Sequence, residues 1–156
     1  MLKTKKNVKI SSYLDINLVS FLQANSRDEA IFQIIDNLEK FEKLPDRKLF
    51  YDAIMKRENI VSTGIGMGVA IPHAKLNQFD EFFIAIGIQK GLSLDWDSLD
   101  GTFVKLIFMI GGPENRQNEY LQILSSLTVI IKDEKLRKQL INALTKEEVI
   151  KLLVNY

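Results

Sequence analysis

Residues 103–110, Phe-Val-Lys-Leu-Ile-Phe-Met-Ile, constrain the fold of this chain more than any other segment. Seven of the eight are apolar, Lys105 being the exception, and the β-branched and aromatic share suits a strand. A strand with almost no polar face has to be covered on both sides, as the central strands of layered α/β folds are. Residues 82–89 form a second run of the same kind. Segments of helical period lie before and after this pair, so the fold class expected is α/β: a single three-layer α/β/α sandwich with a mixed parallel/antiparallel sheet flanked by helices. The chain has 156 residues, 46% of them hydrophobic, with no internal repeat, linker or break in composition, and residues 1–156 are expected to form one domain.

The helical signals are specific enough to position. Ser26-Arg27-Asp28-Glu29 has the Ser-x-x-Glu form of a capping box, and Ile31, Ile34, Ile35, Leu38 and Phe41 follow at helical spacing, which predicts a helix over about residues 27–43. Pro45 is expected to open a second helix with a stripe of Leu49, Phe50, Ala53 and Ile54. Residues 94–101 are turn-rich. After Gly111-Gly112-Pro113 a third helix presents Tyr120, Leu121, Leu124, Leu127, Thr128 and Ile131. Two shorter helices follow, the last opened by the capping box Thr145-Lys146-Glu147-Glu148 and burying Val149, Ile150, Leu152 and Leu153.

Between Ser62 and His73, Gly64, Gly66 and Gly68 alternate with Ile65, Met67 and Val69, which suits an extended, closely approached backbone better than a helix. The segment ends in Ala70-Ile71-Pro72-His73-Ala74, where a proline of fixed φ presents the only histidine of the chain. A neutral imidazole keeps a lone pair on one ring nitrogen and can attack phosphorus without a separate base. The resulting P–N bond is reactive enough to hand the group on, so a carrier suits this histidine better than a hydrolase. Such a site needs its second ring nitrogen fixed by a hydrogen bond, and a cation or donors for the phosphoryl oxygens. Arg57 is the candidate cation; Ser62 and Thr63 offer hydroxyls and N–H groups, and Gly64, Gly66 and Gly68 leave room for a bulky partner. Because another protein must reach His73, the cleft is expected to be shallow, with Ile65 and Met67 on its apolar rim or, equally, in the core.

The stretch from Ser62 through Gly64-Ile65-Gly66-Met67-Gly68 to Ile71-Pro72-His73-Ala74-Lys75 resembles the phosphorylation-site signature of type-2 EIIA domains of the bacterial phosphoenolpyruvate-dependent sugar phosphotransferase system. The resemblance extends from the helix near Ser26 to the C-terminal helix. It implies that His73 is phosphorylated on Nε2 by HPr or its nitrogen-system counterpart. It also implies that Arg57, 73 − 57 = 16 positions earlier, clamps the phosphohistidine as the corresponding arginine does in mannitol-type and nitrogen-type members. Members commonly carry a second histidine at the start of the helix after the GGP-like loop; here Tyr120 takes that position, and its hydroxyl either replaces the imidazole as a neutral hydrogen-bond donor or the role is lost. The Ser-Thr-Gly-Ile-Gly run and the length are most like the nitrogen-regulatory EIIA, a phosphorylation-dependent regulator. A stand-alone fructose- or mannitol-type EIIA feeding the EIIB of a sugar transporter is the main alternative, and a degenerate binding module that does not take phosphate is a third.

Other classes fit poorly. Twenty-one Lys+Arg against 20 Asp+Glu, interspersed, carry no basic patch for nucleic acid. The glycine run is Gly-x-Gly-x-Gly leading into a proline, not a dinucleotide loop opening a helix. Asp95, Asp97 and Asp100 lack the EF-hand spacing. With no Cys and one His, neither a metal nor a cofactor is expected. The basic start at residues 1–6 is read as no targeting segment, no run is long enough to insert into a membrane, and the expected compartment is the cytoplasm.

Overall fold

The computed structural model describes residues 8–156; the basic start discussed above lies outside them. Its centre is an antiparallel pair, β5 (Phe83–Gln89) and β6 (Leu106–Gly112), with every residue of both strands buried. Their side chains alternate with the period of two that a pleated strand imposes. Ile84, Ile86 and Ile88 of β5 and Leu106, Phe108 and Ile110 of β6 enter one core, whereas Phe83, Ala85, Ile107 and Met109 enter the other.

Helices cover each side. α1 (Arg27–Lys40) and α2 (Arg47–Ile60) close the second core, together with Trp96 from the turn-rich loop; α3 (Gln117–Lys132), α4 (Glu134–Asn142) and α5 (Lys146–Leu153) close the first. β1 (Val19–Leu22) adds a parallel edge to β5, and β3 (Val69–Ala70) and β4 (His73–Lys75) run parallel to β6 one after the other. β2 (Gly64–Gly66) pairs antiparallel with β3. Among the described residues the strand order is β1-β5-β6-β3-β2, with β4 also on β6: a mixed sheet between two helical layers, the architecture expected from the apolar strands.

The element ends differ from the expectation for local reasons. α1 stops at Lys40 because Glu42 adopts φ 59° and the Lys43 N–H turns back to the Leu38 carbonyl. α2 starts at Arg47, where Asp46 accepts the Leu49 N–H at 3.0 Å, so Pro45 stands outside the helix. β6 begins only at Leu106: Phe103 is 54% exposed and Val104 bridges to Leu94 instead. It then runs on through Gly111 and Gly112, where a Cβ would meet the rings of Phe83 and Phe82 at 2.3 and 2.0 Å. The buried stripe of α3 is Tyr120, Ile123, Leu127, Ile130 and Ile131, so the predicted Leu121 lies on the outer face. Both capping boxes form, Ser26 Oγ accepting from Glu29 N–H and Thr145 Oγ1 from Glu148 N–H.

Candidate functional site

Pro72 ends a short connection between β3 and β4, and its carbonyl accepts the Ile110 N–H at 2.9 Å, so His73 enters β4 in register with Ile110. In that strand Ala74 is buried in the core and His73 and Lys75 emerge on the opposite face. His73 Nδ1 lies 2.9 Å from the Ile71 carbonyl oxygen. A carbonyl only accepts, so Nδ1 carries the proton and Nε2 keeps its lone pair. Burial lowers the His73 pKa below its ordinary value, the hydrogen bond to Ile71 opposes that, and the nearby charges of Arg57 and Lys75 lower it further. The ring is therefore neutral near pH 7.

His73 opens onto a cleft of about 530 Å³ lined also by Ala53, Lys56, Arg57, Ile60, Lys75 and Glu114. Arg57 sits in the last turn of α2, where its Nη1 donates to the Val61 carbonyl at 2.7 Å. Tyr120 lies in the first turns of α3 with its ring centroid 5.5 Å from the imidazole and 6.3 Å from Phe82. The predicted constellation of His73, Arg57 and Tyr120 thus converges from β4, α2 and α3. Among the described residues, however, no hydrogen bond joins the Tyr120 hydroxyl to His73; the two meet as rings.

The remaining expected residues are placed differently. The Thr63 N–H and Oγ1 both donate to the Glu58 carboxylate, at 2.9 and 2.5 Å, and Thr63 Oγ1 accepts the Trp96 indole N–H at 3.2 Å, all in a buried setting. Ser62 Oγ donates to the Trp96 carbonyl and accepts the Gly64 N–H. These hydroxyls tie the end of α2 to the sheet and are not free to hold a phosphoryl group. Gly66, the last residue of β2, and Gly68, in the turn to β3, have φ of 103° and 75°, and Asp100 accepts the Met67 N–H of that turn. That turn lies near Leu106 and His73 lies beside Ile110, a separation of four strand residues, or roughly 13 Å. Gly64, Gly66 and Gly68, expected at the phosphoryl group or beside a partner, are thus placed in this hairpin away from His73, where they serve the turn and its packing; Gly64 has no room for a Cβ against Ser98. Ile65 and Met67 are exposed on the same hairpin, away from the cleft, and the apolar rim is Ile60 instead.

Sequence reasoning passed over Lys75, which alternation two residues beyond His73 marks as sharing its face, and Glu58, a carboxylate only 2% exposed whose partner becomes evident only once α2 packs on the sheet. Among the described residues no group of three or more His, Cys, Asp and Glu side chains is arranged to hold a metal, and no helix is long and apolar enough to cross a membrane.

The family model for the phosphoenolpyruvate-dependent sugar phosphotransferase system, EIIA 2, matches residues 12–156. The chain belongs to this EIIA family. Members are phosphotransfer proteins that work through a phosphohistidine, passing the group from HPr-type donors to EIIB partners. This EIIA domain is 35% identical over 147 residues to the fructose-specific EIIABC component of Bacillus subtilis (strain 168), covering 94% of this chain and 23% of that larger protein, so it spans about a quarter of that relative's length. It is 32% identical to the fructose-specific EIIA component of Haloferax volcanii, over 90% of this chain and 91% of the other. Its fold matches the crystal structure of the nitrogen regulatory protein IIA-Ntr from Neisseria meningitidis with a TM-score of 0.84 at 28% identity, covering 92% of this chain and 98% of that one.

Proposed function

We propose that this EIIA domain accepts a phosphoryl group on Nε2 of His73 from an HPr-type donor, and that its phosphorylation state governs which regulatory partner it binds, as the likeness to IIA-Ntr suggests. The observation that carries the reading is the 2.9 Å contact of Nδ1 with the Ile71 carbonyl, which leaves Nε2 as the nucleophile in a cleft shared with Arg57. The Nε2 lone pair forms the new N–P bond as the donor's P–N pair returns to the donor ring. The proton stays on Nδ1, where the Ile71 carbonyl stabilises the positive charge the ring acquires on attack. Arg57 takes the charge of the phosphoryl oxygens, which a loose transition state spreads over all three. Adding a doubly charged group to this face changes which partners it attracts. The same reading puts the domain in the cytoplasm with its donor.

A second reading, supply of phosphate to the EIIB of a fructose-type transporter, is favoured by the identities to the Bacillus and Haloferax proteins. Both readings use His73. Incubation with phosphoenolpyruvate, the general phosphotransferase enzyme and an HPr-type carrier is expected to add one acid-labile phosphoryl group by intact mass to the wild type and none to His73→Ala. Transfer onward to a fructose-type EIIB distinguishes the second reading. No phosphorylation by any of several HPr-type donors leaves only a phosphate-independent binding module.

A further inference from the structure

The family resemblance puts Tyr120 where a second histidine is common, and the surroundings of the ring point to a different use of this position. Lys75 follows His73 by two residues on β4, so both side chains leave the same face of the strand. The Lys75 ammonium lies 4.3 Å from the centre of the Tyr120 ring and donates to Gln117 Oε1 at 2.5 Å. The ring itself is only 6% exposed, held between Phe82 and His73. Among the described residues the Tyr120 hydroxyl makes no hydrogen bond. What Tyr120 presents to Lys75 is thus its π face, which attracts a cation, and the ammonium of a lysine that would otherwise sample many rotamers is held by two partners, this ring and the Gln117 amide oxygen.

We propose that Lys75 is a second cation for the phosphoryl group on His73, in addition to Arg57, and that Tyr120 and Gln117 are positioning residues that hold its ammonium in the cleft. The proposal rests on His73 being the phosphoryl acceptor. Arg57 arrives from α2 and Lys75 from β4, so the oxygens of the group in transit meet positive charge from two elements while the N–P bond forms at Nε2 and the donor's P–N bond breaks. A fixed tyrosine face thereby replaces a second histidine indirectly, by supplying a place for a lysine rather than a donor of its own.

The test measures transfer from a phosphorylated HPr-type carrier to the purified chain by rapid quench, separating kcat from KM, with thermal melts to verify folding. Lys75→Gln is expected to lower kcat about 100-fold, the scale of losing one charge-stabilising donor, with KM little changed, and Lys75→Arg to recover most of the loss. Tyr120→Leu is expected to lower kcat about tenfold, with Tyr120→Phe recovering most of that, because the ring face survives. A Lys75→Gln protein that transfers at the wild-type rate, or loses only in KM, overturns the proposal. So does a Tyr120→Phe loss as large as that of Tyr120→Leu, which assigns the role to the hydroxyl. If the wild type takes no phosphate at all, the His73 reading falls and the clamp with it; phosphorylated wild type with an unimpaired Lys75→Gln removes the clamp alone.

Discussion

His73 is the only histidine in the chain, so its ionisation can be followed in stability as well as in transfer. Its folded pKa is lowered, first by burial, below the ordinary value of 6.5. The unfolded chain therefore takes up the proton first as pH falls, and the stability associated with a neutral His73 is intact above about 6.5 and lost as pH falls through the folded pKa. Urea midpoints measured from pH 7.5 to 5 are expected to fall more steeply for the wild type than for His73→Gln; parallel curves would remove the buried neutral imidazole. Glu58 offers a second test. Glu58→Ala leaves the Thr63 N–H and hydroxyl without their partner in a buried site, at a cost of about 1–3 kcal/mol in urea unfolding. Because the same contact fixes the end of α2 that carries Arg57, transfer to His73 is expected to slow in Glu58→Ala under conditions where the protein remains folded.

At the scale of elements, the close approach of β6 to its neighbours matters most. Gly112→Ala puts a methyl group 2.0 Å from the Phe82 ring, and Phe82 stacks on Tyr120. Overpacking of this kind is expected to cost about 1–3 kcal/mol, read as a lower denaturation midpoint, and to disturb the Tyr120 ring beside His73. The caps are the opposite case, local and independent of the site. Ser26→Ala removes the acceptor for the Glu29 N–H and is expected to cost about 1 kcal/mol while leaving phosphorylation at His73 unchanged.

Across the whole molecule, the two cores share β5 and β6, whose residues alternate between them. Neither helical layer has a sheet of its own to fall back on. Trp96, the single tryptophan, reports on the α1/α2 core, whereas far-ultraviolet circular dichroism weighs all five α-helices among the described residues. The two signals are expected to lose intensity in one coincident urea transition. Phe108→Ala, on the α3 side of β6, is expected to shift both together by about 3–5 kcal/mol. A tryptophan signal that survives this change would mean that the layers unfold separately.

The sequence by itself determined the layers and pointed to the proposed nucleophile. Two strands with almost no polar face demanded cover on both sides, apolar stripes and capping boxes located the helices to within a few residues, and Pro-His after a glycine-rich stretch singled out His73. These are signals written in neighbouring residues. What the tertiary structure alone decided is which distant groups stand around that histidine. The glycines at 66 and 68 are close to His73 in the chain but four strand residues away along β6, because the hairpin folds back at the strand's far end. Ser62 and Thr63 look free in sequence and are bonded to Trp96 and Glu58 once α2 and the loop pack against the sheet. Lys75 and Tyr120, 45 residues apart (120 − 75), meet only because β4 and α3 lie at the same end of β6. Period and capping are local properties of the backbone, whereas a site is a convergence of side chains from separate elements, and only packing sets that convergence.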